Sequence, residues 1–169
     1  MPTEQDVNEV LRDVLALVHD ALATHRIDAR ADLGKVPPVL ADRVQLQQVI
    51  LNLVMNGVDA VNERQDGPRN LVISTRALDE GQVTMTVQDS GVGVDPAVFD
   101  KLFDPFFTTK PGGSGLGLAV VHRAIDAHRG LVFLDSSTTG TRFTIVLPCV
   151  PRALRGEQPK LSSHTPVYT

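Results

Sequence analysis

The sequence predicts an α+β protein built as a two-layer sandwich, with one mixed, mostly antiparallel sheet of about five strands covered on one face by three helices. Three segments place apolar residues at steps of three and four, which is the spacing of an amphipathic helix. Five shorter segments have strand character, and most of them are joined by hairpin-type turns rich in Gly, Asp and Ser. Amphipathic helices and half-buried strands of this kind need each other to bury their apolar faces.

The elements follow in chain order. Helices are predicted over residues 5–24, 43–63 and 115–128, with a short helix at 96–102, and strands over 27–33, 70–77, 82–88, 131–135 and 140–148. Asp42 is the expected N-cap of the second helix, Pro96 takes the first position of the short helix, and Gly130 is expected to end the third. Residues 1–150 are predicted to form one domain, and the aperiodic, proline-containing residues 151–169 a flexible tail.

The composition limits the function. The chain has 169 residues, of which 42% are hydrophobic and 21% are charged, as in an ordinary globular domain. A formal net charge of −4 and the absence of tryptophan argue against nucleic acid as a partner. Cys149 is the single cysteine, so a reducing, cytoplasmic compartment is expected. No run of about 18 apolar residues is present, so no membrane contact by this fragment is expected.

A glycine-rich stretch over residues 103–118 is the strongest functional signal. Phe103, Phe106 and Phe107 are three of the six phenylalanines, and they precede a Thr-Thr-Lys sequence and four glycines within six residues. Glycines before a helix let the backbone approach a phosphate, and the free N–H groups of the helix start point at it. This pattern predicts a nucleotide-phosphate loop of the lid type at about 104–114, with the phenylalanines either packing in the core or forming a docking surface.

Two further patterns are candidate ligand sites. Asn52 and Asn56 lie one helical turn apart on the polar stripe of the second helix, although asparagine is a poor helix former. Their amide oxygens could hold a metal ion and phosphate oxygens, whereas the alternative is a plain solvated face. The sequence Asp89-Ser90-Gly91-Val92-Gly93 follows a strand directly, and it suits either a ligand loop or an ordinary turn.

Familiar phosphate motifs do not fit. The Gly34-Lys35 pair lacks the earlier glycine of a P-loop, and no Ser or Thr follows it. The glycines at 115 and 117 follow a loop rather than a strand, which excludes a dinucleotide fingerprint. The catalytic-loop signature of protein kinases is also absent.

Taken in order, the motifs strongly resemble the catalytic ATP-binding domain of bacterial sensor histidine kinases. The matching segments are 52–57, 89–93, 103–110, 113–118 and 140–143, which are the N, G1, F and G2 boxes of the superfamily shared with DNA gyrase, the ninety-kilodalton heat-shock chaperone and the MutL repair proteins. The resemblance covers about residues 5–149 and implies a Bergerat-type ATP-binding fold. The Phe-Phe-Thr-Thr-Lys form at 106–110 looks most like the nitrogen-regulation and oxygen-sensing subgroup.

The resemblance implies roles for individual residues. Asn56 would ligate Mg²⁺, Asn52 would contact phosphates and help hold the metal, and Lys110 would neutralise triphosphate charge. Asp89 would accept the adenine amino group with support from Thr141, and Gly91 and Gly93 would let the backbone lie against the base. Backbone N–H groups of the lid and helix start would bind the phosphates, together with Thr109. These lid and helix residues are Gly113, Gly115, Leu116, Gly117 and Leu118.

There are departures from the family pattern. Asp59 and Ala60 occupy positions that are basic and aromatic in many members, which makes stacking or phosphate contacts from there doubtful. Gly57 replaces a commoner alanine, and His128-Arg129-Gly130 replaces a usual His-Gly-Gly. His19-Asp20 superficially matches a phosphoacceptor pair, but its helix belongs to this domain, so His19 is interpreted as an ordinary surface histidine.

The resemblance therefore implies a catalytic domain, excised from a longer kinase, that binds Mg-ATP and transfers its γ-phosphoryl group to a histidine on a separate dimerisation and phosphoacceptor domain of helical structure. A response regulator would be an indirect partner, and the isolated domain is expected to be a monomer. The alternatives are a stand-alone serine kinase of the anti-sigma type, disfavoured by Asn52 where those relatives carry an acid, and a non-catalytic ATP-sensing module. A gyrase-like or chaperone ATPase fits least.

Overall fold

The computed structural model describes residues 2–78, 81–105, 107 and 117–151. The helices are α1 (Val7–Leu17), α2 (His19–Thr24), α3 (Arg43–Glu63) and α4 (Gly117–Ala127), with a 3₁₀ helix at Pro96–Lys101. The strands are β1 (Thr3–Gln5), β2 (Asp28–Leu33), β3 (Val39–Ala41), β4 (Asn70–Leu78), β5 (Gln82–Asp89), β6 (Leu131–Ser137) and β7 (Gly140–Pro148).

Five strands form the main sheet in the order β2-β4-β5-β7-β6. Only β2 and β4 pair in parallel, and the other three pairs are antiparallel, so the predicted mixed, mostly antiparallel sheet is confirmed. A second sheet of two short strands, β1 and β3, was not predicted. Each of these strands has three residues, and three residues are too few to show a period of two.

Helices cover one face of the main sheet. The helix α3 lies against β4, β5 and β7, while α1 packs on α3, and α4 packs on α3 and β6. The apolar residues between these layers form one continuous core, in which Ile50, Leu53, Leu71 and Ile73 are each no more than 1% exposed. The alternating strands and the broad apolar face of α3 therefore meet as the two-layer prediction requires.

The first predicted helix is two helices. Val18 separates α1 from α2 with φ −96° and ψ 5°, outside the helical region. Val14, Val18 and Leu22 are nevertheless all buried, so the apolar stripe continues across the break. Because periodicity reports only the stripe, it could not reveal the interruption.

The ends of α3 and α4 show how each helix is capped. The Asp42 side chain accepts a hydrogen bond from the backbone N–H of Gln45 at 3.1 Å, which confirms the predicted cap and lowers the pKa of the Asp42 carboxyl. After α4, Arg129 adopts the left-handed conformation (φ 59°). The N–H of the next residue, Gly130, donates a hydrogen bond to the Ile125 carbonyl at 2.8 Å. The prediction that Gly130 ends the helix is thus off by one residue, since Arg129 takes the strained position.

Candidate functional site

A cavity of about 390 Å³ opens between α3, the loop after β5, the 3₁₀ helix and the start of α4, with β7 as its floor. Most of its surface is apolar, and its polar lining includes Asn56 and Asp89 from the two regions that the sequence singled out, together with Glu63, Asp95 and Thr141. The lining residues are Asn56, Ala60, Glu63, Asp89, Val92, Gly93, Val94, Asp95, Val98, Leu102, Leu118, Thr141 and Phe143. An apolar cleft with a few convergent polar groups is the usual form of a small-molecule site.

Asp89 is the buried acid of the cavity. It is the last residue of β5 and is 6% exposed, and its Oδ1 accepts the backbone N–H of Gly91 at 2.9 Å. Thr141, which is 4% exposed, pairs directly across from it on β7. The Thr141 hydroxyl lies 3.1 Å from the hydroxyl of Ser136. Strand register therefore places a carboxylate and a hydroxyl side by side in the cavity wall.

The glycines after Asp89 have a steric reason within the protein itself. A Cβ atom added to Gly91 would lie 2.2 Å from the backbone carbon of Ala60 on α3, and one added to Gly93 would lie 1.9 Å from the carbonyl oxygen of Ser137. The N–H of Val92 also donates to the carbonyl of Ala60 at 3.0 Å. Only glycine allows the loop to lie this close to both α3 and the end of β6.

The two asparagines of α3 face the start of α4. Asn56 lines the cavity together with Leu118, and the Asn52 amide donates to the carbonyl of Gly117, the first residue of α4, at 3.4 Å. The Asn52 amide thus contacts the first residue of α4, and Asn56 lines the same cavity as Asp89 and Leu118. The predicted phosphate and metal residues on α3 are therefore next to the predicted phosphate-binding helix.

Several predicted lid residues lie outside the described part of the chain. These are Thr109, Lys110, Gly113, Gly115 and Leu116, together with Phe106. Phe103 is described and is half-buried, with its ring centroid 6.5 Å from that of Phe143 in an edge-on arrangement and 5.6 Å from that of His122. Of the two roles predicted for the phenylalanines, Phe103 has the packing role.

Sequence reasoning missed part of the cavity wall. The residues Ala60, Glu63, Val92, Val94, Asp95, Val98, Leu102 and Phe143 line it without having been assigned to the site. Phe143 could have been predicted from the sequence, because it follows Thr141 by two residues on the same face of β7. Val98 of the 3₁₀ helix and Leu102, which follows that helix directly, offered no such signal, because their place in the wall depends on how the helix packs.

Two absences apply to the described residues. No group of three or more His, Cys, Asp or Glu side chains among them is arranged to hold a metal ion. Within the same residues, no helix is both long enough and apolar enough to cross a membrane.

Comparison with known proteins identifies the family. Residues 41–151 match the model of the histidine kinase-, DNA gyrase B- and HSP90-like ATPases. The chain belongs to this ATPase family. Among curated proteins, it is 37% identical over 148 residues to the signal transduction histidine-protein kinase AtoS of Escherichia coli K12, covering 86% of this chain and 24% of AtoS. It is 38% identical over 172 residues to the sensory histidine kinase/phosphatase NtrB of Rhizobium meliloti, covering 95% of this chain and 45% of NtrB.

Solved structures place this ATPase domain among those of histidine kinases. The catalytic domain of the histidine kinase ThkA superposes with a TM-score of 0.77 at 30% identity, covering 88% of this chain and 95% of the ThkA domain. Full-length ShkA in complex with AMPPNP gives a TM-score of 0.77 at 30% identity, covering 87% of this chain and 31% of ShkA. The chain thus corresponds to one domain of these kinases and spans less than half the length of the two curated relatives.

Proposed function

We propose that this domain binds Mg-ATP and transfers its γ-phosphoryl group to a histidine on a separate dimerisation and phosphoacceptor domain in two-component signalling. The observation that supports this proposal most directly is that Asp89, Asn56 and Leu118 line one cavity, at the point where the glycine-rich stretch enters α4. In this proposal Asp89 would face the adenine base, while the asparagine amides and the start of α4 would face the phosphates. The likeness to a kinase captured with AMPPNP supports the same occupant.

The adenine would occupy the apolar end of the cavity. Asp89 would accept its exocyclic amino group, an acceptor that suits adenine and repels the carbonyl at the same place in guanine. Val92, Val94 and Leu102 supply apolar surface around this point. Ala60 replaces an aromatic side chain at its position, so stacking from α3 is not part of the proposal.

The donor set fits a magnesium ion that is shared with the nucleotide. Asn52 and Asn56 offer amide oxygens one turn apart, and a cage of carboxylates is absent from the described residues. Mg²⁺ commonly binds through one or two protein oxygens plus substrate phosphates, where it neutralises the negative charge of the triphosphate. Asn56 would hold the ion, and Asn52 would help hold it while contacting phosphate.

Transfer requires mainly positioning. The bond between the γ-phosphorus and its bridging oxygen breaks, a bond to an imidazole nitrogen of the acceptor histidine forms, and ADP leaves. In this chain α3 and the start of α4 would orient the triphosphate, and Lys110 would offset its charge. We expect turnover by the domain alone to be slow, because in the family that this chain resembles the acid that assists the acceptor histidine lies beside that histidine, on the acceptor domain. The acceptor domain would be the direct partner, with a response regulator acting downstream and the isolated domain monomeric.

Radiolabel transfer tests this proposal. The domain is incubated with γ-labelled ATP, Mg²⁺ and a panel of dimerisation and phosphoacceptor domains from its relatives, and label on the acceptor is followed by gel. We expect label that is lost in acid and stable in base, as for phosphohistidine. Acid-stable label would indicate a serine kinase instead, and tight ATP binding without transfer to any acceptor would indicate a sensing module.

A pair of variants on one helix provides the control. Asn56→Ala is expected to abolish transfer, whereas Gln48→Ala removes an exposed amide two turns earlier on α3, away from the cavity. Gln48→Ala should transfer label at the parent rate. Equal rates for both variants would remove Asn56 from the metal site.

A further inference from the structure

The guanidinium of Arg64 joins three segments of the fold. Arg64 is the residue directly after α3. Its Nη1 donates to the carbonyl oxygens of Ser90 at 2.9 Å and Gly91 at 3.3 Å, and its Nη2 donates to the carbonyl oxygen of Thr138 at 3.0 Å. One half-buried side chain therefore ties the end of α3 to the loop after β5 and to the turn between β6 and β7.

Both segments that Arg64 holds carry cavity residues. Ser90 and Gly91 follow Asp89 directly, and the Asp89 carboxylate is fixed by the Gly91 N–H. Thr138 lies in the turn that leads into β7, on which Thr141 faces the cavity. Movement of either segment would shift the Asp89 carboxylate or the Thr141 hydroxyl in the cavity wall.

We propose that Arg64 is a positioning residue for nucleotide binding, which holds the Asp89 loop and the β6–β7 turn in the geometry that accepts the base. The inference rests on the proposed function and adds to it a residue that touches no part of the nucleotide. The planar fork of arginine reaches carbonyls in two directions at once, which a lysine ammonium on one flexible stem does not reproduce.

The loop has other attachments, so loss of Arg64 should loosen it rather than unfold it. The N–H of Val92 remains bonded to the Ala60 carbonyl, and the Ser90 hydroxyl remains bonded to the carbonyl of Pro68 at 2.7 Å. If the loop adopts the binding geometry for only a fraction of the time, the apparent affinity falls in proportion to that fraction. An Arg64→Gln variant should therefore fold and yet bind ATP about five- to twentyfold more weakly.

Arg69 provides a matched control. Its guanidinium also makes several bonds, but to the carbonyls of His25 and Val61 and to the side chain of Asn62, none of which lines the cavity. Arg69→Gln removes a comparable clamp between the ends of α2 and α3. If Arg64 acted only on stability, Arg64→Gln and Arg69→Gln would bind ATP equally well whenever their unfolding midpoints were the same.

The experiment measures the Kd of ATP and of inorganic triphosphate by calorimetry, with Mg²⁺ present, for the parent, Arg64→Gln, Arg64→Lys and Arg69→Gln. We expect Arg64→Gln to weaken ATP binding while leaving triphosphate binding within about twofold, because the clamp acts on the base end of the cavity. Arg64→Lys should recover only part of the loss, and Arg69→Gln should bind ATP like the parent. The Kd of GTP is measured in the same way, and the preference for ATP over GTP should shrink most in Arg64→Gln, less in Arg64→Lys and not in Arg69→Gln.

The outcomes separate the two proposals. If the parent binds no ATP, the proposed function fails, and the role of Arg64 fails with it. If the parent binds ATP and Arg64→Gln binds it equally well, only the role of Arg64 is overturned. Equal losses for ATP and triphosphate, or equal losses in the Arg69 control, would likewise overturn it. Should Arg64→Gln be unfolded, the same comparison between Arg64→Lys and Arg69→Gln decides the question.

Discussion

At the scale of single residues, the candidate site depends on a few polar atoms whose places are fixed by backbone contacts. Asp89 is held by the N–H of Gly91, and the loop that carries that N–H lies against the backbone of Ala60. The carboxylate therefore has little freedom to reorient. Such an acid can be tested by an isosteric change that leaves the surrounding loop intact.

Asp89→Asn is expected to weaken ATP binding by about 1–3 kcal/mol, because an amide presents a donor where the base needs an acceptor. Asparagine keeps an Oδ1 that can still accept the Gly91 N–H, so the loop should retain its shape. Calorimetric titration with Mg-ATP measures the effect, and urea unfolding monitors the fold. An unchanged affinity would remove Asp89 from the adenine site.

Some of these residues were within reach of sequence reasoning and others were not. Three residues stand out in the sequence. Asn52 and Asn56 lie inside a helix although asparagine is a poor helix former, and Asp89 is an acid at the end of a strand, directly before spaced glycines. Arg64 gave no such signal, since its partners lie 26, 27 and 74 residues away in the chain. Only the folded structure brings those carbonyls together, so no local pattern encodes the clamp.

At the scale of elements, the sequence predicted best where a long periodic segment begins at a strong cap. The predicted bounds of α3 match the observed Arg43–Glu63, because Asp42 caps it and an apolar face runs through its length. Short elements and breaks were missed, as at β1, β3 and Val18, because their residues are too few or their apolar stripe is continuous. The end of α4 was placed one residue late because Arg129, and not Gly130, takes the left-handed position after the helix.

Arg129→Gly is expected to raise the free energy of unfolding by about 0.5–1 kcal/mol. Arg129 occupies the left-handed region at the end of α4, which costs a side-chain-bearing residue about 1–2 kcal/mol, partly offset by the extra freedom of glycine in the unfolded chain. Urea unfolding midpoints measure the gain.

Arg129→Ala is the control for this prediction. It removes the guanidinium but keeps a Cβ, and so keeps the backbone strain. Alanine should therefore give no stabilisation. An equal gain in both variants would assign the effect to the arginine side chain instead of the backbone.

At the scale of the whole molecule, the packed core begins well before the family match. The matched region starts at residue 41, yet α1 contributes to the same core as α3 and the sheet. Val10 and Leu11 are both 0% exposed, as is Ile50 in α3. At the other end, Val150 is 6% exposed, and its N–H donates to the carbonyl of Pro38 at 2.8 Å. We therefore propose residues 1–150 as the folding domain. Residues 152–169, which fall in the segment predicted to be a flexible tail, lie outside the described part of the chain.

Truncation tests both ends of this domain. A chain that begins at residue 41 should lose cooperative unfolding, because it exposes the core surface that α1 covers, whereas a chain that ends at Pro151 should keep the parent midpoint in urea. Leu11→Ala tests the contribution of α1 by a single substitution. It should lower the free energy of unfolding by about 2–5 kcal/mol, because the Leu11 side chain is fully buried. The exposed Leu17→Ala, at 72% exposure on the same helix, is the matched control and should change stability by less than about 0.5 kcal/mol. A fully stable chain from residue 41 would place the boundary of the domain at the family match instead.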